Sequence, residues 1–310
     1  NNSQFIDNTT LYNFDSYGAA GLTIYQGDLD GGINSSLFKN NAAAGGEGGA
    51  IRIRGNLKGG ITDSEFIGNT IANGNGGALG ITANYTGGAW VGGNLEGGIS
   101  NSTFSANEAS GMGGGISISN FDGGINGGIF SENKAGAMGG ALAATGYFKG
   151  GIHNSEFIGN EATEFGGAIA NNTSDLFEGG ISNSTFSRNK AMNSAGGALF
   201  ISNFRGDVEE STFQGNSVEK GSASTDFSYG GAMAVWTTFE GDIRNTDFID
   251  NTAVDGGGAL YTPSFTGNIE DSVFSGNSGG RGGALYSGSF DGMLQNSKCT
   301  GNRAEGLDGV

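Results

Sequence analysis

Residues 139–160 read GGALAATGYFKGGIHNSEFIGN, and this stretch contains three short motifs that recur along the chain. The first is a glycine pair followed by alanine and an aliphatic residue, at residues 139–142. The second is phenylalanine or leucine, any residue, glycine, a variable residue and an aliphatic, at residues 148–152. The third is Phe-x-x-Asn, at residues 157–160. Motifs that recur at a fixed period are the sequence signature of a repeat protein.

The Phe-x-x-Asn motif runs through the whole chain. Its asparagines extend from Asn8 to Asn302, at an average interval of about 29 residues. In the last copy, Cys299 takes the place of phenylalanine. The other copies are Phe5/Asn8, Phe38/Asn41, Phe66/Asn69, Phe104/Asn107, Phe130/Asn133, Phe157/Asn160, Phe186/Asn189, Phe213/Asn216, Phe248/Asn251 and Phe274/Asn277.

Each repeat contains three motifs with apolar residues, and these motifs predict three short strands per repeat. Ile181 and Phe186 are an odd number of residues apart, so both can face inward only if the chain bends around Asn183-Ser184. A helical solenoid is excluded because each repeat contains two adjacent glycines, and glycine costs about 1 kcal/mol in a helix interior.

We therefore predict an all-β fold, a right-handed parallel β-helix of about ten to eleven coils with three short strands per coil. Each coil would hydrogen-bond to the next at a spacing of about 4.8 Å. The right hand follows from the strong preference of parallel crossover connections. We expect residues 1–310 to form a single continuous β-helix domain, as a fragment of a longer protein.

Stacking gives the repeated residues structural roles. The phenylalanines should form an internal aromatic stack, and the asparagine amides should bond to one another from turn to turn. The alanine after each glycine pair should be too confined to enlarge, so that Ala168→Leu would overpack its coil. The predicted structural ladder consists of Phe66, Asn69, Phe104, Asn107, Phe130, Asn133, Phe157, Asn160, Phe186, Asn189, Phe213, Asn216, Phe248, Asn251, Phe274 and Asn277.

The amino-acid composition and the net charge limit the fold classes and the kinds of partner that are expected for this chain. The chain has 64 glycines and a single proline, which indicates ordered, frequent turns and excludes collagen. Its net charge of −17 repels phosphate backbones, so nucleic acid is not expected as a partner. The same charge also serves solubility.

The single cysteine, Cys299, excludes an internal disulfide, and it cannot build a zinc site with the single histidine, His153. The segment has no apolar run long enough to span a membrane and no export signal of its own. We therefore expect no membrane insertion by this segment and, if it is exported, a signal upstream of it.

The co-occurrence of Gly139-Gly140-Ala141-Leu142 with Phe157-Ile158-Gly159-Asn160, and of their copies over residues 5–302, resembles the repeats of the chlamydial polymorphic outer membrane proteins. More broadly, it is similar to autotransporter-type β-helix surface proteins. The resemblance implies an extracellular, adhesin-like passenger that is displayed on a bacterial surface, with no catalytic residues to carry over.

Enzymatic chemistry requires groups that the repeats do not supply. Asp247 aligns with Thr185 and Glu156 of other repeats, and His153 takes the position of Ser182. Both are thus interpreted as repeat variants, and no catalytic, cofactor-binding or metal-binding residue is predicted. Arg205-Gly206-Asp207 spells an integrin-ligand tripeptide, but its glycine belongs to the repeat.

Function in a solenoid is expected where the period breaks. Two intervals between ladder asparagines are long, and they predict loop insertions near 80–93 and 219–229. Aromatic residues among glycines suit carbohydrate or protein contact, although such loops can equally pack on the flank of the coil. The candidate partner-binding residues are Tyr85, Trp90, Phe227 and Tyr229.

The sequence therefore predicts a non-catalytic, structural or adhesive scaffold of a cell-surface or secreted protein, located outside the cell. Two alternatives remain: a subunit of a self-assembling extracellular filament or sheath, and a polysaccharide-degrading β-helix enzyme. The expected partner is protein or carbohydrate on a host or neighbouring cell surface, or another copy of the chain stacked end to end.

Overall fold

Parallel β-sheets account for the regular structure of this chain. The computed structural model describes residues 2–11, 18–86, 88–220 and 228–306, without the side chains of residues 85, 86, 89–91 and 174. Within these ranges the secondary structure is entirely β, and four large sheets run along the stack of turns. The turns form a β-solenoid of about ten turns. The predicted all-β parallel solenoid is confirmed.

The first sheet, here called the phenylalanine sheet, has 11 strands built from the Phe-x-x-Asn motif. Phe157 pairs in register with Phe130 on one side and Phe186 on the other. The strands are Gln4–Ile6, Leu37–Lys39, Glu65–Ile67, Thr103–Ser105, Ile129–Ser131, Glu156–Ile158, Thr185–Ser187, Thr212–Gln214, Asp247–Ile249, Val273–Ser275 and Lys298–Thr300.

The second sheet, the isoleucine sheet, has 10 strands and precedes the phenylalanine sheet in each turn. One aliphatic residue of each strand stacks on its counterpart, as Ile152 does on Ile181. The strands are Ile33–Asn34, Ile61–Thr62, Ile99–Ser100, Ile125–Asn126, Ile152–His153, Ile181–Ser182, Val208–Glu209, Ile243–Arg244, Ile269–Glu270 and Leu294–Gln295.

A left-handed residue separates these two sheets. Asn183 has a φ of 48°, which bends the chain between Ile181 and Phe186 and lets both side chains point inward. Asparagine tolerates this conformation better than most residues. Ser184 satisfies two backbone groups near the bends, because its hydroxyl donates to Ser182 O at 2.8 Å and accepts from Ser155 N–H at 3.1 Å. The bend predicted at Asn183-Ser184 is confirmed.

The third sheet, the alanine sheet, has 8 two-residue strands that follow the ladder asparagines. Single bridges from Ser217 to Thr252 and from Thr252 to Ser278 extend the same line toward the last turns. The strands are Thr9–Thr10, Ala42–Ala43, Thr70–Ile71, Glu108–Ala109, Lys134–Ala135, Glu161–Ala162, Lys190–Ala191 and Ser217–Val218; Ser278–Gly279 pairs separately with Arg303–Ala304.

The fourth sheet, the long sheet, begins at the aliphatic residue after each glycine pair, and several of its strands extend to the closing phenylalanine. Gly46–Glu47 pairs with Gly74–Asn75, and Asn94–Leu95 pairs with Asn120–Phe121, in small flanking sheets. The long strands are Leu22–Ile24, Ile51–Arg54, Leu79–Thr86, Ile116–Ile118, Leu142–Ala144, Ile169–Glu178, Leu199–Arg205, Met233–Glu240, Leu260–Thr266 and Leu285–Asp291, with Ala89–Gly92 antiparallel to Leu79–Thr86.

The four large sheets are one more than the three strands per coil predicted from the apolar spacing. The difference arises after the phenylalanine strand, where residues such as Gly159 (φ 62°) and Arg188 (φ 53°) turn the chain a second time. The residues after the asparagine then pair as a separate strand, which the three apolar motifs do not mark.

Each glycine of the pair is required for a different reason. Gly139 has a φ of 66°, a conformation that side-chain-bearing residues rarely adopt. Gly140 is instead confined, because a Cβ at this position would lie 2.1 Å from Gly167 O of the next turn. The following Ala141 is fully buried. The backbones of successive turns therefore meet too closely at this corner for any larger residue.

The phenylalanine rings stack through the centre of the solenoid. Adjacent rings lie 4.5–5.1 Å apart between centroids and within 6° of parallel, from Phe5 to Phe274. A second inner column contains the closing phenylalanines from Phe121 to Phe290. Together these rings and the aliphatic columns fill the solenoid along its length.

The ladder asparagines are fully buried, and each amide is saturated. Asn160 Nδ2 donates to Asn189 Oδ1 at 3.0 Å and to Phe130 O at 2.8 Å. Its Oδ1 accepts from Asn133 N–H at 3.1 Å and from Asn133 Nδ2 at 2.9 Å. One side chain therefore satisfies polar groups in the turns on both sides of its own.

Candidate functional site

The two predicted insertions differ in what they form. In the insertion near 80–93, the backbone makes an antiparallel hairpin in which Tyr85 pairs with Trp90. Their side chains lie outside the described part of the structure, and so does all of Phe227. Tyr229 is described and is only 6% exposed. It thus packs on the flank of the coil, which was one of the two interpretations of these loops.

Tyr229 belongs to a group of rings on the outside of the long sheet, here called the outer aromatic cluster. The outward position next to the sheet's first aliphatic residue holds Ala170, Phe200, Ala234, Tyr261 and Tyr286 in successive turns. Aromatic residues therefore accumulate toward the last turns. The cluster consists of Phe165, Phe200, Tyr229, Trp236, Tyr261 and Tyr286.

Trp236 is the most exposed ring of the cluster, with 45% of its surface accessible. Its strand carries one residue more than the preceding strand between the pairs Ile201/Val235 and Asn203/Thr238, which is a β-bulge. The register with the following strand shifts at the same place. A bulge re-aims a side chain, and here it lies at the tryptophan that faces solvent.

The rings surround Trp236 without stacking flat on it. Its centroid lies 6.1 Å from that of Phe200, 6.3 Å from Tyr229 and 6.5 Å from Tyr261, with interplanar angles of 41–47°. Tyr229 and Tyr261 stack at 4.3 Å, and Tyr261 continues to Tyr286 at 5.6 Å. The arrangement is a row of rings that spans several turns.

A cationic side chain, Arg281, lies at the end of this row. The Arg281 guanidinium is 5.6 Å from the centre of the Tyr286 ring, and it forms no ion pair with a carboxylate among the described residues. Lys220, by contrast, pairs with Asp255 at 3.4 Å. Burial raises the pKa of the Tyr229 and Tyr261 hydroxyls, and the positive charge of Arg281 partly offsets that rise.

The residues with reactive side chains occupy regular positions of the repeat. His153 Nδ1 is 2.7 Å from the Ser182 hydroxyl, and Nε2 is 3.1 Å from Gly150 O. Asp247 occupies an ordinary position of the phenylalanine sheet, in register with Thr212. Cys299 is exposed and pairs in register with Phe274. The described residues contain no group of three or more histidine, cysteine or acidic side chains that could hold a metal ion.

The charged groups of the Arg205-Gly206-Asp207 tripeptide bind to neighbouring turns. Arg205 Nε donates to Glu240 at 2.9 Å. Asp207 accepts from the backbone of Asp242 at 2.7 Å and from Arg244 Nη1 at 2.9 Å. A receptor would have to break these contacts to reach both charges, which disfavours recognition of this tripeptide.

Trp236 was not among the residues predicted from the sequence. The signal lay in a shorter spacing than the one between ladder asparagines. From the glycine-pair alanine to the closing phenylalanine, the turn with Trp236 has one residue more than the turns before and after it, Ala232 to Phe239 against Ala198 to Phe204 and Ala259 to Phe265. This extra residue is the bulge.

A family model for the Chlamydia polymorphic membrane protein repeat matches residues 245–263 and 271–288. These segments contain two residues of the outer aromatic cluster, Tyr261 and Tyr286. Together with the solenoid, the match fits a β-helix repeat protein similar to polymorphic membrane and autotransporter proteins. Neither the curated proteins nor the solved structures gave a significant match. The described part of the chain has no helix with the length and hydropathy to cross a membrane.

Proposed function

We propose that this chain is the non-catalytic, extracellular scaffold of a cell-surface protein and that it makes adhesive contacts on its outer face. The Chlamydia polymorphic membrane protein repeat supports this proposal, because it indicates a surface or outer-membrane location. We further propose that residues 1–310 form one continuous β-helical unit of a longer protein.

The non-catalytic role is supported by the hydrogen bonds that the polar side chains make within the solenoid. The ladder asparagines, and serines of the bends such as Ser155 and Ser184, bond to their counterparts in adjacent turns, so these polar groups are used within the solenoid. His153 likewise has a neighbour at each ring nitrogen. A general base must lie within hydrogen-bond reach of the proton that it removes from a substrate, and these polar groups instead bond to the solenoid itself.

Surface exposure is testable on intact cells that produce the whole protein. An antibody raised against the purified 310-residue chain should label non-permeabilised cells, and protease added outside should remove the label. An antibody against a cytoplasmic protein of the same cells is the control for leakage. Labelling that requires permeabilisation would contradict the proposal.

The two alternatives give distinct results with the purified chain. A polysaccharide-degrading enzyme would release new chain ends from a panel of polysaccharides. A filament subunit would show concentration-dependent growth in light scattering and fibres in electron micrographs. A scaffold should do neither, while beads coated with it should adhere to target cells.

A further inference from the structure

The outer aromatic cluster combines apolar ring faces with free polar atoms. The indole N–H of Trp236 and the hydroxyls of Tyr261 and Tyr286 have no hydrogen-bond partner among the described residues. Trp236 is 45% exposed, and the two tyrosines are partly exposed. A partner that covered these groups with an apolar surface would leave them buried and unsatisfied, which is unfavourable.

Arg281 adds a positive charge to the outer aromatic cluster. The chain has a net charge of −17, and yet this guanidinium lies beside Tyr286 without a carboxylate partner in the described part of the chain. Arginine binds carboxylates through two parallel hydrogen bonds, which lysine cannot imitate. The end of the ring row is therefore complementary to a negatively charged group.

We propose that the outer aromatic cluster binds an acidic saccharide, with a sugar ring against Trp236 and a carboxylate at Arg281. A sugar presents C–H groups on its faces and hydroxyls around its edge, which matches ring faces flanked by free Tyr261 and Tyr286 hydroxyls. This inference rests on the proposed function, because it names the ligand class of the adhesive face.

The test compares sialyllactose with lactose, which lacks the carboxylate sugar, by calorimetric titration of the 310-residue chain. Sialyllactose should bind about tenfold more tightly than lactose, because only sialyllactose has a carboxylate to accept the charge-assisted hydrogen bonds of Arg281. Arg281→Gln should reduce sialyllactose binding to the level of lactose. Trp236→Ala should weaken both, sialyllactose by about 30-fold.

The chain offers a matched control. The partly exposed Arg54 lies 5.3 Å from the centre of the exposed Tyr25 ring, and neither residue contacts another ring among the described residues. Tyr25→Ala and Arg54→Gln should leave sialyllactose binding unchanged. Circular dichroism would show that each variant keeps the β-solenoid.

Three results would overturn the inference: no saccharide binding by the folded chain, equal affinity for the two sugars, or unchanged binding in Trp236→Ala. Capture of a protein through this surface in place of either sugar would also overturn it. The antibody experiment on intact cells does not involve Trp236. The surface location and the saccharide site can therefore fail separately.

Discussion

The inner phenylalanine column and the outer aromatic cluster use the same kind of side chain in opposite ways. Inner rings recur once per turn, are almost fully buried from Phe38 to Phe274, and lie within 6° of parallel. Outer rings occur in a few neighbouring turns, are tilted by up to 47°, and include the exposed Trp236.

This difference predicts that the two groups of rings contribute unequally to stability. A residue that recurs in every turn contacts its own copies above and below, so its main effect is on the stability of the stack. A residue found in a single turn has no such copies to contact. Measurements of stability should therefore distinguish the inner phenylalanine column from the outer aromatic cluster before any ligand is tested.

The largest effect is expected at the asparagine ladder that lines the inner column. Asn160→Ala would remove the acceptor of two buried donors, Asn133 N–H and one hydrogen of Asn133 Nδ2, and would leave Phe130 O and Asn189 Oδ1 with one donor fewer. At about 1–3 kcal/mol for each buried unsatisfied group, we expect a loss of about 5 kcal/mol. Urea denaturation would measure it, and hydrogen exchange should show the loss in the adjacent turns.

Asn172→Ala is the matched control for the ladder variant, because Asn172 is exposed next to the buried Asn171. Its stability should remain within about 0.5 kcal/mol of the parent chain. Equal losses in the two variants would mean that the ladder does not stabilise the stack.

The next effect compares one ring from each group. Phe157 is fully buried between Phe130 and Phe186, so Phe157→Ala should cost about 3–5 kcal/mol through lost burial and a cavity. Trp236→Ala should cost about 1 kcal/mol, since its ring is half in solvent and has no copy in the neighbouring turns. Thermal and urea unfolding of the two variants would test this ratio. A Trp236 variant as unstable as the Phe157 variant would place Trp236 among the folding residues.

The sequence predicted the inner part of the molecule far better than the outer part. The Phe157 and Asn160 positions follow from spacing alone, because each repeated residue must lie over its copy one turn away. The bend at Asn183 followed from the same reasoning. The fourth strand was missed because the short alanine-sheet strands carry no fixed apolar motif.

The members of the outer aromatic cluster could not be identified from the repeat period. Phe165, Phe200 and Trp236 lie in different turns and at different points of the repeat, and only the stacking of turns brings them together. The extra residue at Trp236 was hidden inside a long interval that we assigned entirely to the insertion near 219–229. Sequence period thus reveals what every turn shares, and contacts between unlike turns need the structure.

The smallest effect concerns the tyrosines of the outer cluster at high pH. Burial raises the pKa of Tyr261 above its ordinary value of 10.0, so the fold favours the neutral hydroxyl. Because the pKa in the folded state is the higher one, this contribution is complete below pH 10.0 and is lost as the pH rises through the folded-state pKa. Urea midpoints on both sides of pH 10.0 should therefore fall slightly more steeply for the parent chain than for Tyr261→Phe, which has no hydroxyl to ionise. Identical pH profiles would show that the Tyr261 hydroxyl is as well solvated in the fold as in the unfolded chain, and hence that the outer cluster is open where the inner column is closed.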